Sequence, residues 1–254
     1  MKWTEIPSGQ PNGAFQRLMV AFGDRADTIV ERINADEAVA QRVATLCLNN
    51  GYEPSVSQAK AREIMGKNMF GVEDAQKHFG VTPTKAQLGY LAEIPFSEEV
   101  LTACKDTHVL VAVVPLTILD IRAIAKKQSD HTLFYSQDWY DKQAFANEKA
   151  ELGWHLIRKT PVENSTSKNW KEQQALLSKD EEAPTASVLV YTIIGHFLAT
   201  GERLFEKVYV RTSNLGSGGG HVNVGVFDSE GLDVRYWGDD RRGDGIGVAS
   251  SRKQ

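Results

Sequence analysis

Apolar residues in the first part of the chain follow a helical spacing. Between about Phe15 and Leu101 they recur every three or four positions, as on one face of an amphipathic helix. Glycine ends several of these runs, as at Gly51, and serine precedes others, as at Ser97. This pattern predicts a small bundle of short helices.

The pattern changes at His108. A continuous apolar run follows over Val109–Val114 and ends at Pro115, which predicts a buried strand. Alternating or short apolar segments predict further strands at Gly153–Arg158, Phe205–Arg211, His221–Phe227, Leu232–Tyr236 and Ile246–Ser250. Longer apolar segments predict helices at Leu116–Lys127 and Thr185–Thr200. We therefore expect an α+β protein, with a helical accessory domain over residues 1–105 and a second domain over 106–254.

Charge and composition narrow the functional classes. The net charge of −4 gives no general attraction to nucleic acid or anionic lipid. No apolar run approaches the roughly 20 residues of a membrane helix, and the N-terminus has no apolar signal-peptide core. We therefore expect a cytoplasmic protein without membrane contact. Cys47 and Cys104 lie far apart and outside any C-x-x-C spacing, so we expect reduced, buried thiols rather than a zinc site or a disulfide framework.

The sequence contains no recognised motif for catalysis or cofactor binding. Gly216 and Gly218–Gly220 fit neither the dinucleotide motif nor the phosphate loop, and no helix is predicted after them. A flexible hairpin turn is favoured over a nucleotide site. The histidines are scattered, and none lies in an H-E-x-x-H or G-x-S-x-G context. We therefore predict no catalytic residue, no cofactor and no enzyme activity.

A short acidic cluster near the C-terminus leaves one alternative open. Asp239, Asp240 and Asp244 carry the oxygen ligands that calcium prefers. They alternate with Arg241 and Arg242, however, and ion pairing within the segment explains them as well. The site prediction therefore includes no metal.

Residues 71–91 are similar to a helix-turn-helix unit. A helical pattern ends at Gly80, and Thr82-Pro83 precedes a second helical pattern. In a DNA-binding unit the start of the second helix contacts the bases, and the side chains expected there are Thr82, Thr84, Lys85 and Gln87. Helix–glycine–helix corners are common in small bundles, and basic residues are sparse here, so the electrostatic signal for DNA is weak.

The C-terminal residues carry a more specific pattern. The chain reads YWGDDRRGDGIGVASSR over Tyr236–Arg252, with an aromatic pair, an Asp, an Arg, an Ile-Gly pair and a terminal Arg in that order. It resembles the end of the C-type lectin fold in variable proteins of diversity-generating retroelements, commonly W-x-D-x-x-R followed by (N/D)-x-I-G-F-R-x-A-R. Val248 replaces the usual Phe of that family. The resemblance covers about Thr107–Lys253.

The resemblance implies a particular fold for the second domain. It would be a C-type lectin-like domain, similar to formylglycine-generating enzymes, with a short mixed or antiparallel sheet and a variable region over about 211–246. The first and last strands of such a fold pair antiparallel, so we expect Val109–Val114 to pair with Ile246–Ser250. We expect the two longer helices to flank the sheet, and Trp154 and Trp170 to help fill the core.

Residue usage in the tail agrees with such a variable region. The family diversifies adenines, typically in Asn codons of the form AAY, and changes in the first two bases never reach Lys, Gln, Glu, Met or Trp. Between Val208 and Arg252 there is no Lys, Gln or Met, and the exceptions are Glu230 and Trp237. Glycine-rich hairpins also avoid long flexible side chains, which is the alternative explanation.

Alternation in the tail separates expected core positions from expected binding positions. The core positions are Val222, Val224, Phe227, Leu232, Val234, Ile246 and Val248, while Asn223, Asp233 and Arg235 are expected to face solvent. Tyr, Trp and Arg dominate the energetic centres of protein interfaces. The predicted ligand-binding residues are His221, Asn223, Asp233, Arg235, Tyr236, Trp237, Asp239, Arg241, Arg242 and Asp244.

Three functional hypotheses follow. The leading one is a non-enzymatic protein whose diversified C-terminal surface binds variable macromolecules, with proteins as the expected class. The alternative is a DNA-binding regulator that uses the helices of residues 71–91. An enzyme on the same lectin-like scaffold is disfavoured, because that chemistry needs cysteines in the domain, and Cys47 and Cys104 both precede its first predicted strand.

Overall fold

The structure, a computed structural model, describes residues 9–48, 51–128 and 132–254. Helices are combined with two mixed β-sheets, which confirms the α+β class. The chain divides into two compact units, Met1–Glu53 and Pro54–Gln254. None of the helices in the described ranges is long and apolar enough to cross a membrane.

The first unit is helical, as predicted. Its helices are α1 (Gly9–Phe22), α2 (Ala26–Ala35) and α3 (Glu37–Leu48). Apolar side chains of α2 and α3, including Ile29 and Val43, line a shared groove. From residue 16 to residue 46 no side chain is fully buried. The side chain of Cys47 lies outside the described residues.

The second unit contains the remaining elements. Its helices are α4 (Val56–Met65), α5 (Val72–Phe79), α6 (Lys85–Tyr90), α7 (Glu98–Cys104), α8 (Ile118–Gln128), α9 (Ala144–Asn147), α10 (Trp170–Gln174) and α11 (Ala186–Thr200). Its strands are β1 (Met69–Phe70), β2 (His108–Val113), β3 (Gly153–Arg158), β4 (Glu181–Glu182), β5 (Tyr209–Leu215), β6 (His221–Asp228), β7 (Gly231–Trp237), β8 (Ile246–Val248) and β9 (Ser251–Arg252).

The first sheet has the strand order β1-β2-β3-β9-β4. Strand β2 pairs parallel with β1 and antiparallel with β3, from His108 opposite Arg158 to Val113 opposite Gly153. Every residue of β2 is buried. Strand β9 pairs with β3 and β4, so it lies inside this sheet and β4 forms the edge.

The second sheet has the strand order β7-β6-β5-β8. Strands β5, β6 and β7 form an antiparallel meander, and β8 pairs parallel with β5. Helix α11 contacts strands of both sheets as well as α5 and α8. Its residues from Ala186 to His196 are all buried, because an apolar helix of this kind has no polar side to expose. Thr185 caps its start, and Gly201 ends it in the left-handed conformation at φ 75°.

Two expectations, one about strand pairing and one about where a strand begins, differ from the structure. Val109–Val114 does not pair with Ile246–Ser250, because both edges of β2 are already taken by β1 and β3. The last strand reaches the same sheet only one position further out, as β9 beside β3. The strand expected at Phe205–Arg211 begins at Tyr209 instead, since Phe205 has φ 54°, which is incompatible with a strand.

The compact units also divide the chain elsewhere than at residue 105. Met69 and Phe70 form a strand that the helical pattern concealed, and they pair with Leu110 and Val111. This pairing joins α4–α7 to the same unit as the sheets. Trp154 is buried and donates from Nε1 to the carbonyl of Leu91 at 2.8 Å, whereas Trp170 is half-buried.

Candidate functional site

The second sheet has one apolar and one polar face. Residues opposite each other in the register share a face, and alternation places the intervening residues on the other. The apolar face carries fully buried side chains at Val210, Val222, Val224, Leu232 and Val234. The polar face carries Tyr209, Arg211, His221, Asn223, Asp233, Arg235 and Trp237. Most of the predicted binding residues in strands therefore share one face.

That polar face is not simply a solvent-exposed surface. Asn223 is 0% exposed and Asp233 is 5% exposed, while Arg235 is half-buried. The expectation that these three side chains face solvent is therefore wrong for Asn223 and Asp233. Alternation correctly separated them from the apolar core, but α10, the segment around residues 135–139 and the chain after β7 cover much of the second face.

Asp233 accepts hydrogen bonds from several elements. Its Oδ1 accepts from Nε2 of Gln137 at 2.9 Å, and its Oδ2 accepts from Oη of Tyr209 at 2.6 Å and from Nε of Arg235 at 2.8 Å. Burial, followed by the neighbouring Asp233 carboxylate, raises the pKa of Tyr209 to about 12. The Arg235 guanidinium also lies 5.6 Å from the centre of the Tyr135 ring. Asp233 thus fixes its neighbours rather than facing a ligand.

His221 is also held in place by neighbouring groups. Its Nδ1 lies 2.7 Å from Oδ1 of Asp239, and its main-chain N–H donates to the same oxygen at 3.2 Å. The imidazole stacks on the Trp170 ring with a centroid distance of 3.8 Å. These contacts assign His221 and Asp239 to the support of the loop that follows β7.

The other predicted residues are accessible. Tyr236 is 38% exposed, Arg241, Arg242 and Asp244 are exposed, and Trp237 is half-buried. The guanidinium of Arg241 lies 4.5 Å from the centre of the Trp237 ring, an arrangement that favours a cation–π contact.

Arg242 pairs with Glu172 at 2.6 Å. Both side chains are partly exposed, so the pair adds little stability.

The turn between β5 and β6 adjoins these residues. A Cβ atom on Gly218 would lie 2.7 Å from Cε2 of Tyr236, and one on Gly220 would lie 2.2 Å from the Trp237 carbonyl oxygen. The second approach is to backbone, so only glycine fits at position 220. The turn therefore packs against the end of β7, where Tyr236 and Trp237 point to opposite faces of the sheet.

Residues 135–143, for which no site was predicted, also contact these residues. Trp139 lies 5.1 Å from Tyr236 between ring centres and donates to the Val234 carbonyl at 2.9 Å. Gln143 exchanges two hydrogen bonds of 3.0 Å with Ser217 in the β5–β6 turn. The aromatic-rich composition of this irregular segment was the available signal.

The predicted helix-turn-helix corresponds to α5 and α6. Gly80 ends α5 in the left-handed conformation at φ 65°, and a capping box between Thr84 and Gln87 starts α6. Thr82, Thr84 and Lys85 are exposed, and Gln87 is half-buried. The opposite side of α5 is buried through Val72, Ala75 and Phe79.

The described residues bring no group of three or more His, Cys, Asp or Glu side chains into a metal-binding arrangement. Asp240 and Asp244 are exposed, and Asp239 is bonded to His221. Cys104 is buried without a disulfide partner, and burial raises the pKa of its thiol, which disfavours the reactive thiolate.

Comparisons with protein-family models, with curated proteins and with solved structures found no match to this chain. The fold and the contacts described above are therefore the basis for assigning a function.

Proposed function

We propose that this protein is a non-enzymatic binding protein whose C-terminal surface is diversified, as in variable proteins of diversity-generating retroelements. The proposal includes a C-type lectin-like domain and a cytosolic location. One observation supports it: most of the exposed residues between Leu215 and Asp244 lie in the β5–β6 turn, at Tyr236 and in the loop of residues 238–245. The turn packs against Tyr236 and Trp237 at the end of β7. Behind them, most of β6 and the first four residues of β7 are buried.

The chemistry of this surface suits a protein partner. Tyr236, Trp237 and Arg241 are residue types that supply most of the energy in protein interfaces. Serine and glycine in the adjacent turn resemble the composition of antibody binding loops. Exposed substitutions typically change stability by about 0.5 kcal/mol or less, so this surface can vary while the fold persists.

Exposure favours some of the predicted residues over others as ligand contacts in this proposal. We assign contact to Tyr236, Trp237, Arg241, Arg242 and Asp244, with the exposed Asp240 added. We assign His221, Asn223, Asp233 and Asp239 to support of the surface, because they are buried or bonded within the protein. Arg235 has features of both groups, because it is half-buried and its Nε donates a hydrogen bond to Asp233.

The DNA that flanks the gene tests the diversification directly. We expect a near-copy of the coding segment for about residues 211–246 beside a reverse-transcriptase gene, with differences chiefly at adenines. Across isolates, codons 240–244 should vary while codons 223 and 233 stay constant. Invariant codons 240–244 together with no such copy would refute the proposal.

Binding can be tested separately with two displayed libraries. One library randomises Asp240, Arg241, Arg242 and Asp244. The matched control randomises exposed helical positions remote in sequence, namely Ala59, Lys60, Glu63 and Glu99. Selection against several unrelated purified proteins should enrich binders from the first library. Equal enrichment from both libraries would contradict a dedicated surface.

A second candidate function is DNA binding through α5 and α6, favoured by the exposure of Thr82, Thr84 and Lys85. Its support is weaker, because α6 has six residues and contains one basic side chain, Lys85. Fluorescence anisotropy with a labelled random duplex at low salt tests it. Salt-sensitive binding that Lys85→Ala weakens would favour this function, and no binding at low salt would remove it.

A further inference from the structure

The 238–245 loop joins β7 to β8 and is held through its main chain. N–H groups outside the loop donate to its carbonyl groups: Trp170 to Asp239 at 2.9 Å, Ser167 to Gly243 at 2.8 Å and Tyr209 to Gly245 at 2.9 Å. Within the loop, Arg241 N–H donates to the Gly238 carbonyl at 3.0 Å. Such bonds do not depend on the identity of the side chains.

Arg211, on β5, makes further bonds of the same kind. Its side chain is 0% exposed and lies beneath the loop. It donates to the carbonyl oxygens of Arg241 at 2.8 Å, Lys168 at 3.2 Å and Gly238 at 3.4 Å, and to Oε1 of Gln173 at 2.7 Å. Arg211 thus connects Gly238 and Arg241, the two ends of one turn in the loop, to Lys168, which precedes α10.

A buried cation in this position is costly. Burial lowers the pKa of Arg211, and the charge of Asp239 only partly opposes this effect. No ion pair joins Arg211 to a carboxylate among the described residues, and its Nε has no hydrogen-bond partner there. Burying a charge without an ion pair is normally unfavourable. The four hydrogen bonds to neutral acceptors offset that cost in this fold.

Gln173 orients the arginine from the opposite side. Its side chain is also 0% exposed, and its Nε2 donates to the carbonyl groups of Ser165 at 2.8 Å and Ile246 at 3.0 Å. Both donor hydrogens of the amide are thereby used, which fixes its Oε1 toward Arg211. The pair ties β5, α10 and the start of β8 together behind the loop.

We infer that Arg211, oriented by Gln173, is the positioning residue that sets the path of the 238–245 loop, so that the exposed side chains of Asp240, Arg241, Arg242 and Asp244 are not needed for it. The purpose of this positioning rests on the proposed function. A binding loop held through its main chain can change Asp240, Arg241, Arg242 and Asp244 and keep its shape. Every residue type offers the same carbonyl acceptor to the guanidinium. Lysine would keep the charge but not the planar set of donors.

Hydrogen exchange of the ligand-free protein, followed by mass spectrometry, tests the inference. Loop exchange is read at the amides of Ser167, Trp170 and Arg241, which donate to carbonyl groups of the loop. In Arg211→Lys these amides should exchange about tenfold to a hundredfold faster, as expected when hydrogen bonds of a charged group are lost. A peptide covering β2 should be unchanged. In a variant with Asp240, Arg241, Arg242 and Asp244 all replaced by Ser, loop exchange should stay within about threefold of the parent.

Two results would overturn the inference. One is unchanged loop exchange in Arg211→Lys, which would mean that the charge alone suffices or that other contacts hold the loop. The other is faster loop exchange in the four-serine variant, which decides the matter even if Arg211→Lys fails to fold. The exchange experiment contains no ligand, so a negative result overturns the role of Arg211 without deciding whether the surface binds a partner. Likewise, failure of the binding experiments does not contradict the role of Arg211.

Discussion

The two sheets of the Pro54–Gln254 unit are buried in different ways. In the first sheet β2 is buried along its whole length, and after His108 all its residues are apolar. In the second sheet β6 is almost as buried, yet it alternates valines with His221 and Asn223. After His108, strand β2 therefore needs side chains of the right volume, whereas β6 also covers polar groups, for which hydrogen-bond partners matter.

This difference predicts three kinds of position. Apolar core positions should tolerate exchange for residues of similar size. Polar positions on the second sheet, such as Asp233, should tolerate little, because their partners lie on several elements. The exposed positions Asp240, Arg241, Arg242 and Asp244 of the 238–245 loop should tolerate most changes. The following experiments test that order.

The largest effect is expected in the first sheet. Leu110→Ala removes a completely buried side chain from β2 and should lower the free energy of unfolding by about 2–5 kcal/mol. Leu215→Ala is the matched control, since Leu215 is 55% exposed at the end of β5. Urea denaturation should show little change for the control. Equal losses for both variants would contradict the assigned burial.

A smaller loss is expected on the polar face of the second sheet. Asp233→Ala leaves the side chains of Gln137, Tyr209 and Arg235 without their shared acceptor and should cost about 1–3 kcal/mol in urea denaturation.

The same variant should lower the pKa of Tyr209 from about 12, which ultraviolet titration of tyrosine can detect. Asp240→Ala, at an exposed position, is the control. An unaltered tyrosine titration would argue against the Tyr209–Asp233 contact.

The first sheet also contains a buried group that predicts a pH effect. Burial lowers the pKa of His108 from 6.5 to about 4. Between these values the unfolded chain binds a proton that the folded protein does not, so stability should fall as pH decreases from 6.5 to 4, by at most about 1.4 kcal/mol per pH unit from this group. His108→Gln should flatten that part of the profile of unfolding free energy against pH. An unchanged slope would show that other groups cause it.

The smallest effect is expected in the loop. Arg241→Ala and Asp244→Ala should each change the free energy of unfolding by no more than about 0.5 kcal/mol, because both side chains are exposed. Thermal or urea denaturation beside the parent protein is sufficient. A loss above about 2 kcal/mol would mean that the loop side chains themselves hold the structure, contrary to the main-chain contacts seen at Asp239 and Gly243.

Much of the local structure was predictable from the sequence. Strands β2 and β3, the three C-terminal strand segments and the buried helix α11 lie close to their expected positions. The two-residue strand β1 was missed, because a pair such as Met69-Phe70 has no periodicity of its own. It becomes a strand only through its pairing with Leu110 and Val111.

The candidate site was predictable in part. Tyr236, Arg241, Arg242 and Asp244 are exposed as expected, and Trp237 is half-buried. Asn223 and Asp233 do not, and Arg211 was not considered as part of the site. Alternation shows that two sets of residues point in opposite directions, but it does not show whether distant segments cover the second set.

The sequence by itself determined the periodicities, and with them the element types, since these arise from contacts between near neighbours. It also determined which positions offer polar groups. Only the tertiary structure decided which of those groups are buried and what they bind. The bonds from Arg211 to the loop carbonyls, and from Gln137 to Asp233, join residues far apart in the chain. No local pattern encodes such partners, because the fold alone brings them within hydrogen-bond distance.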